Sequence, residues 1–517
     1  MAQSFIHGTV ILVGASLFNR VIGFLYQILL IRIIRPEGVG LFTMIFPVYI
    51  LALVLSTMGI PTALAKLVAE EVARDNLAGA YRIFRVSMFY LIIFGSLFTV
   101  LLLVLSSPLV RRILPNPAAG LSLTTLAPAI VIVAVCSGFR GFFQGLQRMG
   151  PTAASQVAEQ LARFSVGLAL ASLLLPRGLA FATAGVSAGV VTGELTGFVV
   201  MLYLYRHNRP LPAPRPGLRR ESLTSISRRL FALGVPITLT RAVWTVLYSI
   251  EAMLIPDRLV AAGLTVDKAT ALYGQLSGIA ESLLYIPSIV TMALATALLP
   301  AIADALAQKN DTLVRFRTQE AFRLTILVGM PAVVFFLVLP RQLCGVIFGY
   351  AGAGDSLLIM ALAGIFLYLS QTCVGILQGL GRPLLPFKNM VVSSTLRLAG
   401  IYFLTAVPGF NIMGAAAALA ADYIFTACLN MADLHKVTGL TLNLREILVK
   451  PAFCAGVMGL VTIAAKGFFF GRSGAPGVSL MAVISLGGLV YGLVLLFSGA
   501  IDKGDLNRLV TIFRHYV

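Results

Sequence analysis

Ten ionisable side chains stand well inside long apolar runs of this sequence, where each needs a physical reason to be. They are Arg20, Arg140, Arg163, Arg241, Arg397, Glu159, Glu194, Glu251, Glu281 and Asp422. An ionised group facing hydrocarbon at a helix centre costs on the order of 2.5–3.5 kcal/mol. Five of each sign therefore implies ion pairs, a watery cavity or a charged ligand. Helical spacing sorts them. Ser16, Arg20, Gly23 and Gln27 fall within about 60° at 100° per residue. Arg241, Trp244, Tyr248 and Glu251 fall within about 80° by the same count, and Trp244 is the chain's only tryptophan. Gly278, Glu281, Tyr285 and Ser288 share a third face, with Pro287 expected to bend the helix. Arginines at mid-depth suit a phosphate or diphosphate, which the planar guanidinium grips with two bonds. Intramembrane acids suit a cation or proton path. Glu159 and Arg163, four apart, can pair on one helix face, and Arg397 is expected to join them in a scaffold role. Arg140, about two turns from a helix end, is expected to snorkel. Glu194 and Asp422 lie among small residues, where packing and an ion role are equally open.

The elements that position these groups are those of a bilayer protein. Of 517 residues, 58% are hydrophobic and 11% charged, with a mean hydropathy of +0.94. A soluble protein carries about 25% charged residues. A helix crosses the hydrocarbon with roughly 20 mostly apolar residues, and the sequence supplies fourteen such runs. They lie near 5–34, 41–68, 81–107, 121–147, 151–176, 179–205, 230–256, 270–302, 318–348, 355–380, 384–407, 409–434, 447–469 and 477–499. A linker at 206–229 holds four prolines and seven arginines, and the tail from Asp502 to Val517 has the pattern of an amphipathic surface helix. The expected organisation is an N-lobe at 1–205, the basic linker, a C-lobe at 230–435, and two further helices plus tail at 436–517.

Of the 39 lysines and arginines, 24 lie in even-numbered loops and the tail, 10 in odd-numbered loops and five within spans. That excess marks the even loops, and both termini, as cytoplasmic. The same loops account for the net charge of +19 without a nucleic-acid partner. The five cysteines (Cys136, Cys344, Cys373, Cys428, Cys454) lie in or beside apolar runs without metal-ligand spacing, so neither disulfide nor metal site is expected. The first apolar run contains Arg20 and lacks a basic leader, as a retained helix would. No nucleophile motif, Gly-rich phosphate loop or histidine cluster marks an enzyme.

An internal repeat lies at an offset of 234. Thr62-Ala63-Leu64 recurs as Thr296-Ala297-Leu298, and Gly141, Gln144-Gly145-Leu146 and Arg148 recur as Gly375, Gln378-Gly379-Leu380 and Arg382. Arg163 recurs as Arg397. Six spans per period send both copies into the membrane in the same direction, the arrangement of transporters with parallel repeats.

At Asn19-Arg20-Val21-Ile22-Gly23-Phe24, Gly59-Ile60-Pro61, Gln144-Gly145-Leu146-Gln147-Arg148, and Tyr273-Gly274-Gln275 through Leu298-Leu299-Pro300, the chain resembles the MOP superfamily of exporters and flippases. Within it, the chain is most similar to the stage V sporulation protein B branch of polysaccharide-biosynthesis proteins, near the MurJ-type lipid II flippases. The resemblance implies an all-α polytopic fold of two parallel six-helix lobes around a central cavity, with two C-terminal helices making a groove for a lipid tail. It implies a bacterial cell membrane location and an undecaprenyl-diphosphate-linked saccharide as substrate, with the lipid bilayer and cell-wall synthesis machinery as partners of a monomer. The residues expected to line the cavity are Arg20, Gln27, Arg241, Trp244, Tyr248 and Glu281. An ion-coupling group of Glu251, Asn389, Ser393 and Asp422 leaves sodium, protons or membrane potential open as the drive; no cofactor is expected. Two departures stand out. Tyr26-Gln27 replace an Arg-Asp pair of the MurJ-type pattern, and Ser393 stands where the ion site would carry a second acid. The competing reading is a cation-coupled multidrug exporter, which would favour an acid in the first span where this chain has Arg20.

Overall fold

The computed structural model describes residues 5–208, 221–439, 445–472 and 475–499. The expected amphipathic tail and residues 209–220 of the linker lie outside them. Among the described residues all regular structure is helical. In chain order the helices are α1 (Phe5–Thr57), α2 (Ile60–Ala73), α3 (Leu77–Arg112), α4 (Gly120–Leu126), α5 (Ala129–Gly145), α6 (Gly150–Leu174), α7 (Leu179–Asn208) and α8 (Leu223–Ala261). There follow α9 (Val266–Gln275), α10 (Glu281–Leu284), α11 (Ser288–Ala307), α12 (Asp311–Val338), α13 (Pro340–Leu343), α14 (Ala353–Ala361) and α15 (Gly364–Gly379). The last four are α16 (Leu384–Leu404), α17 (Ile412–Thr438), α18 (Lys450–Arg472) and α19 (Pro476–Phe497). Eleven helices among the described residues are long and apolar enough to cross a membrane, or twelve if α14 and α15, bent by 56°, make one span. The chain is an all-α polytopic membrane protein.

Prolines mark two of the breaks. Arg35, which precedes Pro36, leaves helical geometry (φ 60°, ψ 173°) and divides α1, because a residue before proline is pushed out of the α region. The expected single run at 270–302 is interrupted twice. A π-helical turn at Leu276–Ala280 separates α9 from α10, and Pro287 caps α11 instead of bending a continuous helix. The face expected of Gly278, Glu281, Tyr285 and Ser288 is lost with the α period. Gly278 and Ser288 are buried, Glu281 is half-buried and Tyr285 is exposed.

The described chain forms two compact units, Met1–Gly274 and Gln275–Val517. In the first, Ile60, Leu64, Phe84, Phe142, Phe143, Ile226 and Leu230 form one core, so α8 begins packed on α2, α3 and α5. Ser222 caps α8 by accepting from the Ser225 amide. Arg229 adds a polar tie, pairing with Glu70 of α2 at 2.7 Å and with Glu221 at 2.9 Å. In the second unit, Ile302, Phe322, Ile376, Leu377 and Leu434 form the core. There α18 and α19 pack on α12 through Met458, Tyr491 and Leu495, and the Tyr491 hydroxyl donates to the Leu327 carbonyl at 2.9 Å.

Residues 234 apart occupy like settings in the two units. Gly141 lies on the Pro61 carbonyl and Gly375 on that of Ala295. Gly145 meets Ala65 and Val68, and Gly379 meets Leu299 and Ile302. Asn76 and Asn310 cap α3 and α12, accepting from Gly79 and Leu313 amides at 3.0 and 2.9 Å. The residues before them, Asp75 and Lys309, have φ of 55° and 54°. Glycine at the helix contacts lets backbones touch, which matters in lipid because apolar side chains gain little there by leaving their solvent.

Candidate functional site

Two helices of the first unit expose two chemically opposite arcs. On α1 the exposed aliphatics Leu17, Val21, Leu25 and Leu29 lie about 150° around the helix from Ser16, Arg20, Gly23 and Gln27 at 100° per residue. Ser16 and Arg20 are exposed, and Gly23 and Gln27 half-buried. On α8 the exposed aliphatics Val235, Leu239, Val246 and Ile250 lie about 165° from the arc of Thr240, Arg241, Trp244 and Tyr248 by the same count. Thr240, Arg241 and Trp244 are exposed and Tyr248 half-buried. In a membrane protein an aliphatic arc is stable against acyl chains. An arginine arc is stable only against water, an acid or an anion. Each helix thus exposes an aliphatic side and, away from it, a polar side that carries an arginine. Trp244 stacks on Tyr248 with ring centroids 5.5 Å apart and planes 17° apart. Glu251, further along the same arc, is buried.

A second set of charges is consumed inside the first unit. Arg163 Nη2 donates to Glu159 Oε1 at 2.8 Å and to Glu194 Oε1 at 2.9 Å. Arg140 does not snorkel. Its Nη2 donates to Glu159 Oε2 at 2.8 Å and its Nε to Ser155 at 3.1 Å. Two cations and two carboxylates from α5, α6 and α7 thus cancel. What brings them together is the close approach of α6 and α7. Gly185, Gly189, Gly193 and Gly197 line up every fourth residue against the α6 backbone, and a Cβ on Gly189 would lie 2.3 Å from the Gly167 Cα.

The second unit carries a polar seam between α16 and α17. Arg397 pairs with Asp422 at 3.2 Å, the counterpart of the Arg163–Glu194 pair. The Thr426 hydroxyl donates to Ser393 at 2.7 Å. Asn389 Nδ2 donates to Asn430 Oδ1 at 3.0 Å and to Asp433 Oδ2 at 2.8 Å, and Asn430 in turn donates to Ser370 of α15 at 3.2 Å. Of the expected ion-coupling residues, Asn389, Ser393 and Asp422 therefore lie along one seam, while Glu251 belongs to the first unit. Asp433 was not among the residues singled out from the sequence. The signal was there: Asp422, Thr426, Asn430 and Asp433 fall within about 80° of one another at helical spacing.

The comparisons with known proteins agree with this architecture. The polysaccharide biosynthesis protein family matches residues 5–306, and the MatE family matches residues 257–403. Stage V sporulation protein B of Bacillus subtilis is 31% identical over 519 residues, covering 99% of each chain. Lipid II flippase MurJ of Bacillus subtilis is 25% identical over 530 residues, covering 95% of each chain. A solved lipid II flippase MurJ in an inward closed conformation superposes with a TM-score of 0.68 at 13% identity, covering 95% of this chain and 98% of that one; at that identity it shows the fold alone. The family is one of transport without catalysis. With its helical bundle, its charged seams and a match over more than half its length, the chain belongs to the polysaccharide biosynthesis protein family of the MOP superfamily of membrane transporters.

Proposed function

We propose that this protein is an alternating-access flippase that carries an undecaprenyl-diphosphate-linked saccharide from the inner to the outer leaflet of a bacterial cell membrane. The single observation that carries the reading is the sorting of exposed surface on α1 and α8. Arg20 and Arg241 stand exposed on polar arcs away from the aliphatic ones, the placement an anion-binding path needs. Two guanidinium groups fit a diphosphate. Among the relatives, the lipid II flippase MurJ of Bacillus subtilis supports the same substrate class. In this reading Gln27 and Glu281 line the path, while Glu251, Asn389, Ser393 and Asp422 answer to the coupling ion. Glu159, Arg163 and Arg397 hold the helices. The organisation is a lobe at 1–205, a cytoplasmic linker at 206–229, a lobe at 230–435 and a C-terminal pair, with both termini cytoplasmic. Dividing α1 at Arg35, taking α14 and α15 as one span and adding the 21-residue α16 brings the eleven apolar helices to fourteen. A cation-coupled multidrug exporter is the alternative, favoured by the MatE match and by the acids Glu251 and Glu281.

The test is reconstitution in liposomes, comparing translocation of a fluorescent lipid diphosphate-saccharide with efflux of a cationic dye. Arg20→Ala and Arg241→Ala are expected to reach the membrane and lose lipid translocation. The lysine variants are expected to be intermediate, since lysine keeps the charge and loses the fork. Wild-type flipping by both alanine variants overturns the role of the arginines, and dye efflux without lipid translocation favours the exporter.

A further inference from the structure

Trp244 is placed where neither packing nor the membrane accounts for it. It is 50% exposed, and it sits near the middle of the 39-residue α8 instead of at a helix end, where interfacial tryptophans collect. It lies on the arc of Thr240 and Arg241, away from the aliphatic arc of Val235, Leu239, Val246 and Ile250, so lipid does not explain its exposure. Its ring is held nearly parallel to that of Tyr248, with planes 17° apart. Tyr248 backs the half-exposed indole in an offset stack, on the helix that also carries Arg241. An aromatic face carries partial negative charge, and the C–H face of a pyranose is apolar with its hydrogens slightly positive. The two surfaces are complementary. A stacked pair fixed before binding also loses little freedom when it binds.

We propose that Trp244, with Tyr248 behind it, is a stacking platform for the sugar ring attached to the diphosphate held by Arg241. This rests on the flippase reading and deepens it by assigning a saccharide subsite. The distance along the helix fits. Trp244 follows Arg241 by three residues, a rise of about 4.5 Å, so the first sugar linked to a diphosphate at Arg241 lies over the indole. The order on α8 is then phosphate at Arg241 and saccharide toward Glu251. Trp244 selects for a ring with an exposed C–H face at the first position beyond the diphosphate.

Because Trp244 is the only tryptophan in the chain, the emission of the whole protein reports on this one site. The purified full chain in lipid nanodiscs is titrated with two probes: a short polyprenyl diphosphate with no sugar, and the same lipid diphosphate carrying one N-acetylhexosamine. Binding is measured independently with radiolabelled probes. The sugar-bearing probe is expected to quench or shift Trp244 emission and to bind roughly tenfold tighter than the bare diphosphate, the upper range for an aromatic contact. Trp244→Ala is expected to remove that tenfold preference, with Trp244→Phe retaining part of it. A tenfold preference that survives in Trp244→Ala, or binding of both probes to wild type with identical emission, overturns the platform and leaves the flippase reading standing. Binding of neither probe to wild type overturns the flippase reading itself. If Trp244→Ala does not fold, Trp244→Phe and the wild-type emission decide.

Discussion

Removing Arg163 should unbalance the charge cluster of the first unit in a way that a second substitution repairs. Arg163 serves two carboxylates through one nitrogen, at 2.8 and 2.9 Å. Glu159 also holds Arg140 at 2.8 Å, whereas Arg163 is the one cation paired with Glu194 among the described residues. Arg163→Met therefore leaves Glu159 neutralised and strands Glu194, whose side chain is only 9% exposed. Breaking a buried pair by removing one partner costs about 3–5 kcal/mol. With Arg163 itself 22% exposed, the lower end applies, about 3 kcal/mol, or roughly a hundredfold in the folded population. Arg140→Met should cost less, about 2 kcal/mol for lost bonds to a charged group, because Glu159 keeps Arg163. The double variant Arg163→Met/Glu194→Gln leaves Glu159 balanced by Arg140 and should recover at least about 1 kcal/mol over the single variant, within the coupling usual for contacting residues. The assay is SDS-driven unfolding of the purified full chain, with detergent-solubilised Tm giving the ranking. A double variant no more stable than Arg163→Met, or an Arg163→Met chain as stable as wild type, refutes the assignment of Arg163 as the neutralising cation.

Three further outcomes are expected. Single cysteines placed in the 206–229 linker and in the C-terminal tail should resist an impermeant external label, while those in the 111–120 and 257–268 loops should react; external labelling of the linker reverses the orientation. Glu251→Gln should weaken transport and change its pH or sodium dependence at normal expression, and an unchanged ion and pH profile would make Glu251 a structural residue. At the start of α8, partial burial pushes the Glu221 carboxyl up, but bonds from Ser225 and Arg229 and the nearby Arg229 and Arg74 charges outweigh it and hold the group below its ordinary value. A lowered folded pKa stabilises fully above the unfolded value, about 4.3, and the contribution is lost as pH falls through the folded value. Glu221→Gln should accordingly flatten the loss of stability on acidification below that point, and an unchanged acid limb would remove the Arg229 tie from the account.

Much of this molecule was written in its one-dimensional pattern. Charge scarcity alone placed it in the bilayer, since a soluble surface cannot be covered with 11% charged residues. Angular position within a helix was equally legible. The polar arcs of α1 and α8 follow from residue spacing, because a rigid period of 3.6 carries each side chain to a fixed bearing. The Glu159–Arg163 pair, four residues apart on one helix, needed nothing further. Bearing does not say which neighbour stands opposite, and there only the tertiary structure decided. Arg140 was expected at the water surface and instead meets Glu159 on α6, while Arg163 reaches Glu194 on α7 and Asn389 reaches Asp433 on α17. The neighbour is chosen by which backbones can approach. In lipid that depends on small residues stacked every fourth position, as in Gly185, Gly189, Gly193 and Gly197. Local breaks were hidden for a related reason. The turn at Leu276–Ala280 adds a residue to the helical repeat without altering composition or hydropathy, so a face read through it at constant period rotates away from the one the chain adopts.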